Sequence, residues 1–354
     1  MRSYSITKYL PILALTILFI GVSGCDIIQQ AILSDLPDDA DAVSLRVTMI
    51  YPSDCIGDSG YCDSFHIGVR TAEAELGISL IEVAGMESDP EVAETQIRKA
   101  AQNSDLVLTV GYQMGAPLAM AAPDFPDVKF AIFDVALDVP NVASINYKAN
   151  EGSFLVGAIA ALKSESGKIG YIGGADVPLL QEFEAGYVAG VQAVNPDAVV
   201  IVEYISDDAT GFGMPERAKE IALAQYESGA DVIYTAAGGA GNGVLEAARE
   251  QQKFIIWVDS NGNYLEPGIV LTSMVKELSD SVIKVINETA EGTFIGGARY
   301  LGLGDGGVSY AVDEHNRSLL SDEVLNRVES LRAQIIAGEI VVPDQVTLPR
   351  EQNQ

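Results

Sequence analysis

Between Leu45 and Val258 the chain alternates short, almost wholly apolar runs rich in β-branched residues with stretches of helical period, and it does so twice. LRVTMIY, SLIEV, DLVLTV and VKFAIFD make the first series of strands, with helices expected near 64–76, 90–102 and 112–122 between them. After VASINY and EGSFLVGAIAAL comes a second series, KIGYIG, AVVIVEYI, DVIYTA and KFIIWV, with helices near 178–194, 215–228 and 240–251. Strands apolar on both faces and separated by helices belong in a parallel sheet covered on both sides. Two such series demand two α/β lobes, and the roughly 300 residues involved suffice for two cores of ordinary size.

Local punctuation supports these elements. The first helix carries Phe65, Val69, Ala72 and Leu76 on one face, opens after Asp63-Ser64 and stops at Gly77. The second begins at Pro90, where a fixed φ suits a first turn and the missing N–H costs nothing.

In open α/β sheets the ligand crevice lies beyond the carboxyl ends of the strands, so those ends are where a site is expected. Three of them carry aspartate: Asp54 after the first strand, Asp134 after the fourth, and Asp259 after KFIIWV. A fourth, DVIYTA, runs into a glycine turn containing Gly238 and Gly239. Carboxylates accept hydrogen bonds from hydroxyls and bare backbone donates them, so the set suits a small polyhydroxylated ligand; each aspartate taken alone could equally cap a helix. GGAGNG follows a strand and opens a helix, but lacks the G-x-G-x-x-G spacing of a dinucleotide site and reads as a turn allowing close backbone approach. There is no G-x-S-x-G, H-E-x-x-H or phosphate loop, and the histidines are only His66 and His315. A binding protein without a cofactor or metal is therefore expected rather than an enzyme.

The N-terminus predicts where the protein works. Arg2 and Lys8 precede LPILALTILFIGVSG, an apolar stretch too short to span a bilayer but suited to a signal peptide over residues 1–24. Val22-Ser23-Gly24-Cys25 resembles a lipobox, which implies lipidation, palmitate included, at Cys25 and a polar tether over 25–42. Across the chain 50 acidic residues outweigh 21 basic ones, a formal charge of −29 that excludes nucleic acid as a partner. With Cys25 assigned to lipid, Cys55 and Cys62 remain in an oxidising compartment. A disulfide between them is the leading reading; a metal site of Cys55, Cys62 and His66 is the alternative.

EGSFLVGAIAAL, KIGYIGGADVPLLQEFEAGYVAGVQAVNP, AAGGAGNGVLEAA, VDSNGNYLEPGIVLTSMVK and LGLGDGGVSYA resemble successive motifs of the basic membrane protein family, the purine-nucleoside receptor lipoproteins of ABC transporters. The resemblance runs from about Leu45 to Pro343. It implies a type I periplasmic-binding-protein fold, two Rossmann-like lobes joined by three crossover segments, with residues 43–146 and 272–298 in one lobe and 147–271 and 299–350 in the other. It also implies a site. Asp63-Ser64-Phe65-His66 matches the family's D-K-S-F-N, making Phe65 a stacking ring beside Ser64 and His66; Phe212 is the second ring, Asp54, Asp134 and Asp259 hold ribose or base, Gly238 and Gly239 face the ligand, and Lys276 is a neighbour. The implied partners are a purine nucleoside, a permease and its cytoplasmic ATPase. Because Asp63 and His66 depart from the family motif, riboflavin is an alternative ligand on the same fold; a signalling or surface receptor lipoprotein is a further alternative.

Overall fold

The computed structural model describes residues 44–53, 55–86 and 89–346. The signal peptide, Cys25 with its tether, and Asp54 lie outside the described residues.

The first sheet contains β1 (Arg46–Pro52), β2 (Ser79–Met86), β3 (Leu106–Val110), β4 (Lys129–Phe133), β5 (Val142–Tyr147) and the late strand β11 (Gly297–Leu301), in the order β11-β5-β4-β3-β1-β2. All its pairings are parallel. The second contains β6 (Lys168–Ala175), β7 (Val199–Ser206), β8 (Val232–Ala236), β9 (Phe254–Asp259), β10 (Val270–Lys276) and the short β12 (Val308–Tyr310), in the order β12-β10-β9-β8-β6-β7. Here β12 alone runs antiparallel, against β10. Without their last members, both sheets have the doubly wound order in which the first strand lies between the second and the third. The fold is thus type I periplasmic-binding-protein architecture, reached by the same topology twice.

Helices cover the faces because the strands offer no polar side: β3 and β8 are buried along their whole length. In the first lobe α1 (Tyr61–Leu76) buries Phe65, Val69 and Ala72 completely, while Leu76, placed on the same stripe by its spacing, is 39% exposed at the last turn. Burying a side chain such as Phe65 contributes about 1.5–3 kcal/mol. This helix ends as expected, with Gly77 in the left-handed region. In α2 (Pro90–Ala101), Asp89 caps the start by accepting from the Glu91 and Val92 amides. The short α3 (Gly115–Ala121) completes this set. The second lobe uses α4 (Ala149–Lys163), α5 (Pro178–Val194), α6 (Pro215–Glu227) and α7 (Gly241–Gln251), with α9 (Asp322–Ile336) packed against α4.

The chain passes between the sheets three times, after Tyr147, after Lys276 and after Leu301. The second and third passages come later than the family motifs imply. Residue 272 lies inside β10, whose ladder with β12 runs to Lys276, and residue 299 lies inside β11, which pairs with β5 to Leu301. The pairing decides the matter, since a strand cannot leave its sheet in mid-ladder. The next helix, α8 (Leu278–Ala290), then packs on α1 in the first lobe, where Gly68 is pressed against Ser279 so closely that a Cβ would sit 2.9 Å from its Cα. The Ser279 hydroxyl donates to the Ser64 carbonyl at 2.6 Å across this contact.

Candidate functional site

The carboxyl ends of both sheets face a cavity of about 290 Å³. Its inner end, beside the passages, is ionic. Lys276, the last residue of β10, donates from Nζ to Asp134 Oδ2 at 2.8 Å and lies 3.4 Å from Asp259 Oδ1. The three side chains are only 2%, 3% and 11% exposed, in that order. Burial pushes the lysine's pKa down, but the two carboxylates outweigh it and hold the ammonium above its ordinary range. Burial likewise raises the Asp259 carboxyl, against the pull of Lys276. The ammonium also lies over the rings of Phe183, Tyr61 and Tyr147, 4.9, 5.3 and 5.5 Å from their centroids, which is cation–π distance.

The two aspartates hold unusual backbone. Asp134 has φ 65° and Asp259 φ 66°, left-handed values that cost on the order of 1 kcal/mol each outside glycine. The turn aims both carboxylates at the same cation. Asp134 Oδ1 is buried without a hydrogen-bond partner among the described residues, and Asp259 Oδ1 is met only by the Lys276 ammonium at 3.4 Å, so the cavity holds acceptors that a ligand's donors can satisfy.

The walls also carry aromatic rings, Tyr61 and Phe183 beside Lys276 and Phe212 farther out. Tyr61, at the start of α1, comes from the first lobe; Phe183 and Phe212 come from the second. Phe212 rests on Gly174, where a Cβ would sit 2.4 Å from its ring, and faces Gly238. Gly238 and Gly239 present backbone to the cavity.

The loop before α1 forms the first lobe's lip. Cys55 and Cys62 are joined by a disulfide, their Cα atoms 5.5 Å apart, within the ordinary range for a bridge. The Asp58 carboxylate accepts from the Gly60, Cys62 and Asp63 amides; burial pushes it up to about 6 even so. Asp63 accepts from the Gly57 and Ser59 amides at 2.7 and 2.9 Å. From the second lobe, Trp257 Nε1 and Ser260 Oγ both donate to the Ser59 carbonyl, at 3.3 and 2.9 Å. This loop therefore spans the cleft.

Of the residues expected at the site, Asp134, Phe212, Gly238, Gly239, Asp259 and Lys276 line the cavity. Three do not. Phe65 is fully buried, its ring 4.5 Å from that of Phe133 and 5.0 Å from that of Tyr61; Ser64 bonds to the Gly60 carbonyl within its own helix; His66 Nδ1 pairs with Glu82 Oε1 at 2.7 Å. The physical reason is helical geometry. Only the first turn of a helix following a strand reaches the crevice, so the ring that enters it is Tyr61, one turn before Phe65 on the same stripe. That signal was present in the sequence, as the N-terminal end of the apolar stripe. The metal alternative fails to assemble, since His66 lies at Glu82 and the two sulfurs are bonded to each other.

Comparison with known proteins agrees with this architecture. Residues 45–346 match the Bmp family, described as ABC transporter substrate-binding proteins, PnrA-like. The chain is 31% identical over 342 residues to basic membrane protein A of Borreliella burgdorferi, covering 94% of each chain. It is 33% identical over 261 residues to the ABC transporter nucleoside-binding protein BmpA of Lactococcus lactis, covering 68% of this chain and 72% of that one. Among solved structures, an ABC transporter solute-binding protein from Aeropyrum pernix superposes with a TM-score of 0.76 at 27% identity, over 84% of this chain and 94% of that one. The chain belongs to the Bmp family, the PnrA-like substrate-binding proteins that hold a solute outside the cytoplasm for an ABC permease and its ATPase and do no chemistry on it.

Proposed function

We propose that the cavity binds a purine nucleoside, with the ribose at Asp134, Asp259 and Lys276 and the base between Tyr61 and Phe212. The observation that carries this reading is the gradient along the cleft. Lys276, Asp259 and Asp134 come from β10, β9 and β4, toward the passages, whereas the bare glycine turn and Phe212 follow β8 and β7 farther out, and the Tyr61 ring, after β1, reaches back to 5.3 Å from Lys276 and so borders both halves. Vicinal hydroxyls need buried acceptors and a fixed cation; a flat heteroaromatic base needs ring faces and bare backbone. A nucleoside is one polar and one flat aromatic half in that sequence. The name of the Lactococcus relative supports the same class. Riboflavin gains nothing from the geometry, because Asp63 and His66, the residues that motivated it, are engaged away from the cavity.

The site would serve a lipoprotein. Residues 1–24 are removed, Cys25 carries the lipid, and residues 25–42 tether the two lobes at the outer face of the membrane. Among the described residues no helix is long and apolar enough to cross a bilayer. Labelled palmitate should enter the wild-type chain and be lost from Cys25→Ser; equal labelling of both would remove the anchor from this scheme.

Thermal unfolding of the purified chain tests the ligand. Adenosine, inosine or guanosine at about a hundredfold excess over Kd should add about 2.7 kcal/mol of stability. A yellow, fluorescent preparation, or no shift with any of the three, overturns the reading.

A further inference from the structure

We propose that Gln113 reads the polar edge of the bound base and makes the site accept 6-amino and 6-oxo purines alike; this rests on the nucleoside reading above. The position is built for the side chain. β3 ends at Val110, and Gly111 takes φ 90°, open to glycine. The Gln113 amide folds back over it: a Cβ on Gly111 would lie 2.6 Å from Oε1 and 3.0 Å from Nε2. A bulkier residue at 111 would displace that amide. With glycine there, it rests over the carboxyl end of β3 and lines the cavity.

Strand order places it relative to the ligand. β3 lies between β4, whose end carries Asp134, and β1. Neighbouring strands are about 4.8 Å apart, so Gln113 stands one strand farther from the passages than the ribose carboxylate. That is the direction in which a base extends from its sugar.

The amide is also uncommitted. It is half-buried and makes no hydrogen bond to any described residue. Elsewhere in the molecule, amides with structural work are engaged: Asn141 donates to three backbone carbonyls, and Asn150 and Asn316 to two each. Two other polar groups of the outer cavity are already used, Asp58 by three backbone amides and Thr210 by Asp208, and the tyrosine hydroxyls that line it lack an amide's paired donor and acceptor. Across the cleft, Gly238 and Gly239 offer no side chain.

The chemistry follows from the functional group. A primary amide presents a donor and an acceptor side by side, and half a turn about its terminal bond exchanges them. One orientation matches the amino N–H and ring nitrogen of a 6-amino purine, the other the carbonyl and N1–H of a 6-oxo purine. A carboxylate presents two acceptors, which only the N1–H and 2-amino pair of a 2-amino-6-oxo purine satisfies.

Calorimetric titration of the full chain with adenosine, inosine, guanosine and free ribose tests this, using wild type, Gln113→Leu and Gln113→Glu, with thermal unfolding to show that each folds. Wild type should bind adenosine and inosine with similar affinity. Gln113→Leu should weaken both about tenfold and leave ribose unchanged, a split that loss of packing alone would not give. Gln113→Glu should move the guanosine-to-adenosine preference by about tenfold or more toward guanosine. Nucleoside affinities untouched by Gln113→Leu, or changed equally with ribose, overturn the assignment while the nucleoside reading stands. If wild type binds none of the three nucleosides, the underlying reading falls and takes this one with it.

Discussion

The two sheets share one strand order, and at their fourth strands they also share one chemistry. Asp134 follows β4 and Asp259 ends β9, each at a left-handed φ within a degree of the other, each turned toward Lys276. At the third strands the likeness stops: Gly111-Tyr112-Gln113 in the first lobe faces Ala237-Gly238-Gly239 in the second. The shared part lies at the inner end of the cleft, where one cation meets a carboxylate from each lobe. The divergent part lies where one lobe supplies side chains and the other only backbone. On the proposed nucleoside reading, such a cleft keeps a symmetric grip near the passages and gains discrimination by making the outer ends unequal.

The strongest way to break this comparison is to remove the cation that both halves share. Lys276→Met leaves two buried carboxylates facing each other, which should cost about 3–5 kcal/mol of stability and abolish nucleoside binding. Chemical denaturation and titration report the two losses, and near-normal binding would show that the pair of aspartates does not depend on the lysine. Next in size are Asp134→Asn and Asp259→Asn. Each should weaken binding by about 1.5–3 kcal/mol, the range for a hydrogen bond to a charged group. A silent variant on one side would mean that the grip is lopsided despite its matching backbone.

Smaller still is the effect of the ring walls. Tyr61→Ala and Phe212→Ala should each lose about 0.5–1.5 kcal/mol of affinity beyond the area no longer buried. Unequal losses measured by titration would locate the base nearer one lobe. A separate effect, on stability and not on affinity, concerns Glu182, on α5 in a second cavity that Asp134 also lines. Burial raises its carboxyl from 4.5 to about 7, and the Asn150 amide offsets this only in part. Between those values the folded chain holds a proton that the unfolded chain has released, so stability should fall as pH rises from about 4.5 to 7 and level off above. Glu182→Gln should therefore gain in Tm relative to wild type across that window; a difference independent of pH would show that Glu182 titrates as it would in water.

Both series of strands were legible because buried parallel strands have no polar face to confuse their pattern. LVLTV and VIYTA are continuous apolar runs, and each is a central strand. The cavity was legible wherever a residue stood at a strand end, as with Asp134 and Asp259. It failed at Phe65, because periodicity identifies the buried face of a helix but not how far along that face the core ends and the crevice begins. Gln113 carried no signal at all, since its role depends on a glycine two residues earlier and on the strand to its side, both properties of the assembled sheet. The second passage was placed near 272, before 276, because β12, which holds β10 in its ladder to Lys276, is only three residues long and distant in sequence.

The placement of α8 against α1 has a consequence for how the protein is made. The first lobe's own strands are finished at Tyr147, yet the helix that covers α1 begins at Leu278 and the strand that flanks β5 begins at Gly297. The first lobe must hold an open face while about 130 further residues are synthesised, and then recapture them by closing a loop of that length. The second lobe waits in the same way for β12 at Val308 and α9 at Asp322, which arrive after the first lobe's late elements. Assembly from the ribosome should therefore leave both lobes open until nearly the whole chain has emerged, whichever lobe starts first.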